Sequence, residues 1–480
     1  MMQTGAAVDS PPLPHDAAPE QAGAQPTPAE VDRRFWWGVA SAVALGAVVR
    51  FTYLFHGAPR GVFGDGLDYH LSARRLADGL GYTSSFGDTG AENAHHPPGW
   101  QTVLAAVTEA GGRSLWAHQV TGVVIGLGVV LLAGLIGRRV AGRRVGLAAA
   151  LLAAVYPGFW VLEPQILSEP LTLLIGGVLL LALFDLWHRP TLARAVLAGA
   201  LTGALALVRS EQLALLVLAV VPLLLFNPRL ELRRRCAWAG VAVLAAAVPI
   251  APWAIHNLGR FEEPVILSTS SGNLLLMGNC PPATYSGDLI GFLDNRCGFR
   301  IGASHPGLDR SQMDAVTRRA ALDNVHDNLD RLPLTALARN GRMLGVFQTG
   351  QMVEFAANWF ASATWPVWAW LASFWVVAPL AVYGSILLRR SRTFQWPLLA
   401  PVLLVVLIVT VSYGEPRYHT PADLGIVVLA AVALDQFMRR ARLSNPGERG
   451  RARQRSSGTG GHTQPGPSGM PRTTTSTGPA

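Results

Sequence analysis

The chain contains no lysine: all 39 of its Lys+Arg cations are arginine. Amine-based covalent catalysis, Schiff-base chemistry included, is therefore excluded. Charge of either sign is scarce, at 14% of 480 residues, while half of the residues are hydrophobic. A soluble chain of this length needs far more charge to cover its surface, so the composition is that of a polytopic membrane protein. The net charge of +9 does not point to nucleic acid, because most arginines lie in short runs between apolar stretches or near the C-terminus. Topology signals and contact with anionic headgroups account for them. Cysteine is rare as well, with three residues, so no more than one disulfide can form within the chain. Cys280 and Cys297 share a long polar loop and are the candidates if that loop is extracytoplasmic, whereas Cys236 opens an apolar stretch and is read as inert packing.

The apolar stretches, ordered by the positive-inside rule, number about ten: 35–56, 114–137, 145–162, 166–187, 195–208, 211–226, 236–255, 365–388 and one on each side of Glu415. Every short inner loop carries arginine, which predicts a multi-pass protein of the plasma (inner) membrane with both termini cytoplasmic. Residues 1–34 and 442–480, rich in Pro, Ala, Gln, Ser, Thr and Gly, are read as disordered cytoplasmic segments without a signal peptide. The fold class expected is an all-α bundle: an N-terminal transmembrane module over 35–255 with a first outer loop at 57–98, a small mixed outer loop domain at 256–364, and C-terminal transmembrane helices over 365–441. Residues 309–345 of the outer domain have a helical pattern, and 99–112 is too short to cross and is placed in the interface.

Two polar clusters fall on the same outer face. Asp65 and Asp68, spaced by three, share one face if the segment is helical. A carboxylate at the membrane rim can deprotonate a hydroxyl or hold a divalent metal; it can also merely cap a helix. His95-His96-Pro97-Pro98 follows. Adjacent histidines in an extended segment point apart, which disfavours a shared metal, and Trp100 is placed as an interfacial anchor. One histidine, His96, is a candidate contact for phosphate. Glu163, Ser168 and Glu169 lie at an outer mouth, where function and helix capping fit equally. Arg209 pairs with Glu211 or faces a phosphate. In Glu415-Pro416-Arg417-Tyr418-His419, Arg417 can fork onto a lipid phosphate and Tyr418 can add a hydroxyl.

These clusters, in this order, resemble the GT-C class of membrane glycosyltransferases, in particular the protein O-mannosyltransferase and lipid A aminoarabinose-transferase superfamily. The likeness rests on Gly64-Asp65 with Asp68-Tyr69, on Leu76-Ala77-Asp78-Gly79-Leu80-Gly81-Tyr82, on His96-Pro97-Pro98-Gly99-Trp100, on Ser168-Glu169-Pro170 and on Glu415-Pro416-Arg417-Tyr418. The resemblance spans residues 35–440 and implies a polyprenyl-phosphate sugar donor, an extracytoplasmic protein, lipid or glycan acceptor, and inverting transfer. It assigns a base to Asp65 or Asp68, donor phosphate and lipid contacts to Arg417, Tyr418, Arg209 and His96, and acceptor or sugar contacts to Tyr69, Glu169, Glu415 and His419. Gly66 stands where the family commonly has the second acid of an adjacent Asp-Glu pair, which leaves the base and metal use open. No cofactor is required by the sequence. The competing readings are a carrier for lipid-linked sugar and a non-catalytic binding relative, although no transporter-type internal repeat is evident.

Overall fold

The computed structural model describes residues 28–85, 89–360 and 363–444. Among the described residues the regular structure is helical, with one isolated bridge between Thr83 and Glu92 and no strand. Helix α1 (Pro28–His56) is followed by α2 (Gly64–Ala77) and α3 (Gly99–Glu109), which pack against each other beside one end of the bundle. Then come α4 (Leu115–Ala141), α5 (Arg143–Val155), α6 (Pro157–Trp160), α7 (Glu169–His188), α8 (Leu192–Ala206), α9 (Val221–Leu225) and α10 (Leu232–Asn257). Five helices follow before the chain returns to the bundle: α11 (Ser271–Gly278), α12 (Arg296–Ser304), α13 (Arg310–His326), α14 (Leu332–Met343) and α15 (Thr349–Trp359). The last three are α16 (Thr364–Arg390), α17 (Trp396–Val411) and α18 (Thr420–Ser444).

Each apolar stretch read from the sequence is helical, but the stretches are unequal. Among the described residues six helices are long and apolar enough to cross a membrane, and the pair Arg143–Val155 and Pro157–Gln165, bent by 49°, makes a seventh if it is one span. This is a multi-pass membrane protein. Three further apolar helices, Leu192–Ala206, Ser210–Leu225 and Trp396–Val411, have at most 16 residues, about 24 Å at 1.5 Å per residue against an apolar layer of about 30 Å. Proline explains the breaks: Pro157 cannot donate to the end of α5, and Pro222 follows a π turn at Leu216–Val220.

Close helix approach depends on small residues. A Cβ on Gly384 of α16 would meet the Leu429 carbonyl at 1.9 Å, and one on Gly199 of α8 would meet that of Ala242 at 2.1 Å. The largest buried cluster joins α4, α5, α7, α16 and α18. Cys236 is exposed rather than packed, on a helix with a third of its apolar window buried. Residues 28–34, read as the end of a disordered arm, form the start of α1; residues 1–27 of that arm and 445–480 of the tail lie outside the described residues.

The 309–345 pattern is realised as α13, opened by a capping box of Asp309 and Gln312, and α14. Cys280 and Cys297 are joined in a disulfide. Arg339 of α14 bolts these helices to the bundle. It donates to the carbonyls of Gly278 and Thr410 at 2.8 and 2.7 Å, at the C-terminal ends of α11 and α17. A guanidinium shared by two helix C-termini has its charge met by both dipoles.

Candidate active site

Gly64 opens α2 in a left-handed conformation (φ +52°), and a Cβ there would run into Trp359. The turn sets Asp65 in the first turn of α2, where the helix dipole favours a carboxylate. Gly66 lies against the Gln165 carbonyl, 2.2 Å from where a Cβ would stand. An acidic side chain at that position has no room in this packing.

Asp65 receives Arg417 Nη1 at 2.9 Å on Oδ2, and Arg417 Nε lies 3.2 Å from Glu415. Arg209 is held in the same way: Nη1 meets Glu169 at 2.9 Å and Nε meets Glu211 at 2.5 Å. Each arginine is thus gripped by two carboxylates. All six side chains line one cavity of about 570 Å³. Its apolar lining includes Leu404, Val405, Ile408 and Val411 of α17, and its polar lining includes Ser268, Ser270, Ser271 and Asn273.

His96 lies on the carboxylate side of this cavity. Its Nε2 is 3.8 Å from Asp65 Oδ1 and 3.8 Å from Asp68 Oδ2, and Tyr69 stacks on its ring at 4.5 Å. The segment is bent, so the His95 and His96 rings meet edge to face at 4.5 Å instead of pointing apart. Asp68 does not line the cavity; its Oδ1 accepts from Ser72 at 3.3 Å. Burial pushes the Asp65 carboxyl up, but Arg417 together with His96 and His95 outweighs it and holds the group well below the ordinary carboxylate range. Asp68 lacks such a partner and burial raises it. Burial lowers His96 to about 3, so the imidazole is neutral. Glu415 is raised by burial, and Tyr413 is pushed up to about 12 by the same cause.

Two expected placements differ, those of His419 and Trp100, while Tyr418 lines the cavity. His419 is 1% exposed, bonds Asp423 at 2.7 Å and stacks on Phe374, so it does not reach the cavity; the i, i+4 pair draws it into the bundle. The Tyr418 hydroxyl donates to Tyr413, and its ring lies 5.6 Å from Arg417, so it braces the arginine. Trp100 is fully buried and donates to the Ile166 carbonyl, and is no interfacial anchor. Ser168 precedes α7 without a side-chain cap, while Glu169 is taken by Arg209. Glu163 pairs with Arg50 inside the bundle, beneath Gly126. That partner, a lone arginine within the first apolar stretch, was legible as a costly intramembrane charge. Gln212 and Tyr413 also line the cavity and carry no sequence signal.

Among the described residues no three His, Cys, Asp or Glu side chains converge to hold a metal ion, and Asp65 is engaged by a guanidinium.

Residues 95–256 match the family model described as dolichyl-phosphate-mannose-protein mannosyltransferase. The fold is similar to that of the archaeal oligosaccharyltransferase AglB from Archaeoglobus fulgidus, solved with an inhibitory peptide and a dolichol-phosphate. The TM-score is 0.50 at 15% identity, over 90% of this chain and 53% of that one. An Archaeoglobus fulgidus oligosaccharyltransferase solved in complex with Zn and sulfate is similar as well, with a TM-score of 0.50 at 13% identity, over 85% of this chain and 50% of that one. ArnT from Cupriavidus metallidurans, bound to undecaprenyl phosphate, aligns with a TM-score of 0.41 at 16% identity over 82% of this chain and 77% of that one. The chain spans about half the length of the oligosaccharyltransferase. No curated protein sequence matches it. The resemblance to GT-C membrane glycosyltransferases stands on the family segment and on this fold.

Proposed function

We propose that this chain transfers a sugar, a hexose or pentose, from a polyprenyl-phosphate donor to an acceptor hydroxyl on the outer face of the plasma membrane. The observation that carries the reading is the Asp65–Arg417 pair in the lining of a cavity that has both apolar and polar lining residues. A proton acceptor and a phosphate-neutralising cation in contact are what this chemistry requires. The description of the matching family segment and the dolichol-phosphate in the oligosaccharyltransferase support a lipid-linked donor.

The donor's prenyl chain would lie along the apolar lining from α17, with its phosphate facing Arg417 and Arg209. The acceptor would enter along the polar lining, where Tyr69, Glu169 and Glu415 can meet sugar or acceptor hydroxyls. Of the two acids, only Asp65 faces this space, which supports it as the base. Attack from the face opposite the phosphate inverts the anomeric carbon. A lipid phosphate leaves as a stabilised anion, so arginine serves it better than a proton donor. We read residues 256–364 as a cover that keeps water from the donor, and the arginine-bearing loops and both termini as cytoplasmic.

The test is transfer in proteoliposomes from radiolabelled polyprenyl-phosphate mannose to a crude envelope extract, comparing wild type with Asp65→Asn. Labelled product that disappears in the variant supports an enzyme with Asp65 as base. Lipid-linked sugar that crosses the bilayer without being consumed overturns the reading in favour of a carrier.

A further inference from the structure

We propose that His96 and Asp68 form a proton exit from Asp65: the imidazole takes the acceptor's proton from Asp65 and hands it to Asp68, which releases it to water. This rests on the transferase reading above.

Four observations place the three groups in series. His96 Nε2 faces both carboxylates from the same distance, 3.8 Å to Asp65 Oδ1 and 3.8 Å to Asp68 Oδ2. Neither His96 Nε2 nor Asp68 Oδ2 has a hydrogen-bond partner among the described residues, and both atoms are buried. Such orphaned polar atoms are costly and call for an explanation. Asp65 Oδ2 is committed to Arg417, which leaves Oδ1, the oxygen nearest His96, to accept the proton. The imidazole is held in plane by Tyr69 on its face and His95 on its edge. A small tilt closes either 3.8 Å gap to a hydrogen bond, so one ring nitrogen can receive and then pass the same proton.

The direction follows from the surroundings. Asp65 is held low by Arg417, and Asp68 is raised by burial, so a proton on Asp65 runs downhill to Asp68. The groups acting on His96 are His95, Asp65, Arg417 and Arg209. Those acting on Asp68 are His95, Ser72, Asp65 and Arg310. The side chain of Asp68 keeps 13% of its surface accessible although Oδ2 itself is buried, so release to water is from the carboxyl as a whole and not from that atom directly.

The step balances. The acceptor O–H bond breaks and its electron pair forms the new bond to the anomeric carbon. The bond from that carbon to the phosphate oxygen breaks, its pair leaving with the lipid phosphate. The proton goes to Asp65 Oδ1, then to His96 Nε2, then to Asp68 Oδ2 and from that carboxyl to external water, which resets both carboxylates.

Both relay groups act through Asp65, so the test needs a readout that structure alone would not move. Turnover is measured in proteoliposomes with radiolabelled polyprenyl-phosphate mannose for His96→Ala, Asp68→Asn and the double variant, each with and without added imidazole. Binding of sugar-free polyprenyl phosphate, followed by melting temperature, reports the fold and the donor site. The expected result is a fall in kcat of about a hundredfold in each single variant with lipid-phosphate binding kept. The double variant is no slower than the slower single, and imidazole restores His96→Ala but not the double variant. Effects that multiply, or a folded His96→Ala that imidazole does not restore, overturn the relay. A wild type that consumes no donor overturns the transferase reading and the relay together, whereas an active wild type with an equally active His96→Ala overturns the relay alone.

Discussion

Arg417, beside the start of the last helix, lies 2.9 Å from Asp65, in the first turn of the second. The contact joins segments far apart in the chain at the lining of the cavity. Removing either partner leaves the other's charge in a largely buried place, and removing Arg417 also takes the cation from Glu415. Arg417→Ala is expected to lower kcat/KM by about two to three orders of magnitude. Arg417→Lys should not restore it, because an ammonium cannot hold two carboxylates and a phosphate in a planar fork. Steady-state transfer from polyprenyl-phosphate mannose checks both, and a lysine variant near wild type would refute the forked arrangement.

A second buried pair is structural. Arg50 meets Glu163 at 2.9 Å and donates to the Ala154 carbonyl at 2.9 Å, beside the break between α5 and α6. Arg50→Met strands a buried carboxylate and should cost about 3–5 kcal/mol. Adding Glu163→Gln should recover most of that loss. Melting in detergent of the two singles and the double gives the coupling, and additive losses would show that the pair does not act as a unit.

Arg339 ties α11 and α17 together through their last carbonyls. Each hydrogen bond from a charged group contributes about 1.5–3 kcal/mol. Arg339→Ala should therefore loosen α11–α15 while the bundle stays folded. Hydrogen exchange mapped by mass spectrometry should rise over residues 271–359 and stay constant in α4 and α16; uniform protection would contradict the bolt.

The two aspartates of α2 should have opposite effects on stability against pH. Asp68 is raised by burial, so its contribution is complete below the ordinary aspartate value, about 3.9, and is lost as pH rises through the folded value. Asp65 is lowered, so its contribution is present above about 3.9 and lost as pH falls. Asp68→Asn should thus melt higher than wild type at pH 7, with the gap closing toward pH 4, while Asp65→Asn should melt lower at pH 7. Melting curves between pH 4.5 and 8 check both signs.

Much of this was legible along the chain. The apolar stretches and the runs of arginine located the helices, because burial in a membrane demands long uninterrupted apolar segments. The Glu415-Pro416-Arg417-Tyr418 and Gly64-Asp65 clusters stood out as charge where apolar sequence was expected. What could not be read was which side chain meets which. His419 and Arg417 are two residues apart, yet one enters the cavity and the other turns into the bundle toward Asp423. The short helix Pro416–His419 sets their directions, and no pattern of apolar periodicity specifies it. The His95–His96 pair failed for a similar reason, since a bend brought together rings that an extended chain would separate.

The sequence by itself determined the membrane class, the positions of the apolar helices and the short list of polar groups able to do chemistry, since each follows from composition and local spacing. Only the tertiary structure decided that Asp65 rather than Asp68 faces the cavity, that each arginine is gripped by two carboxylates, and that His96 stands between the two acids. Those are relations between segments far apart in the chain. They are set by how close helices can approach and where prolines break them, which local spacing does not encode.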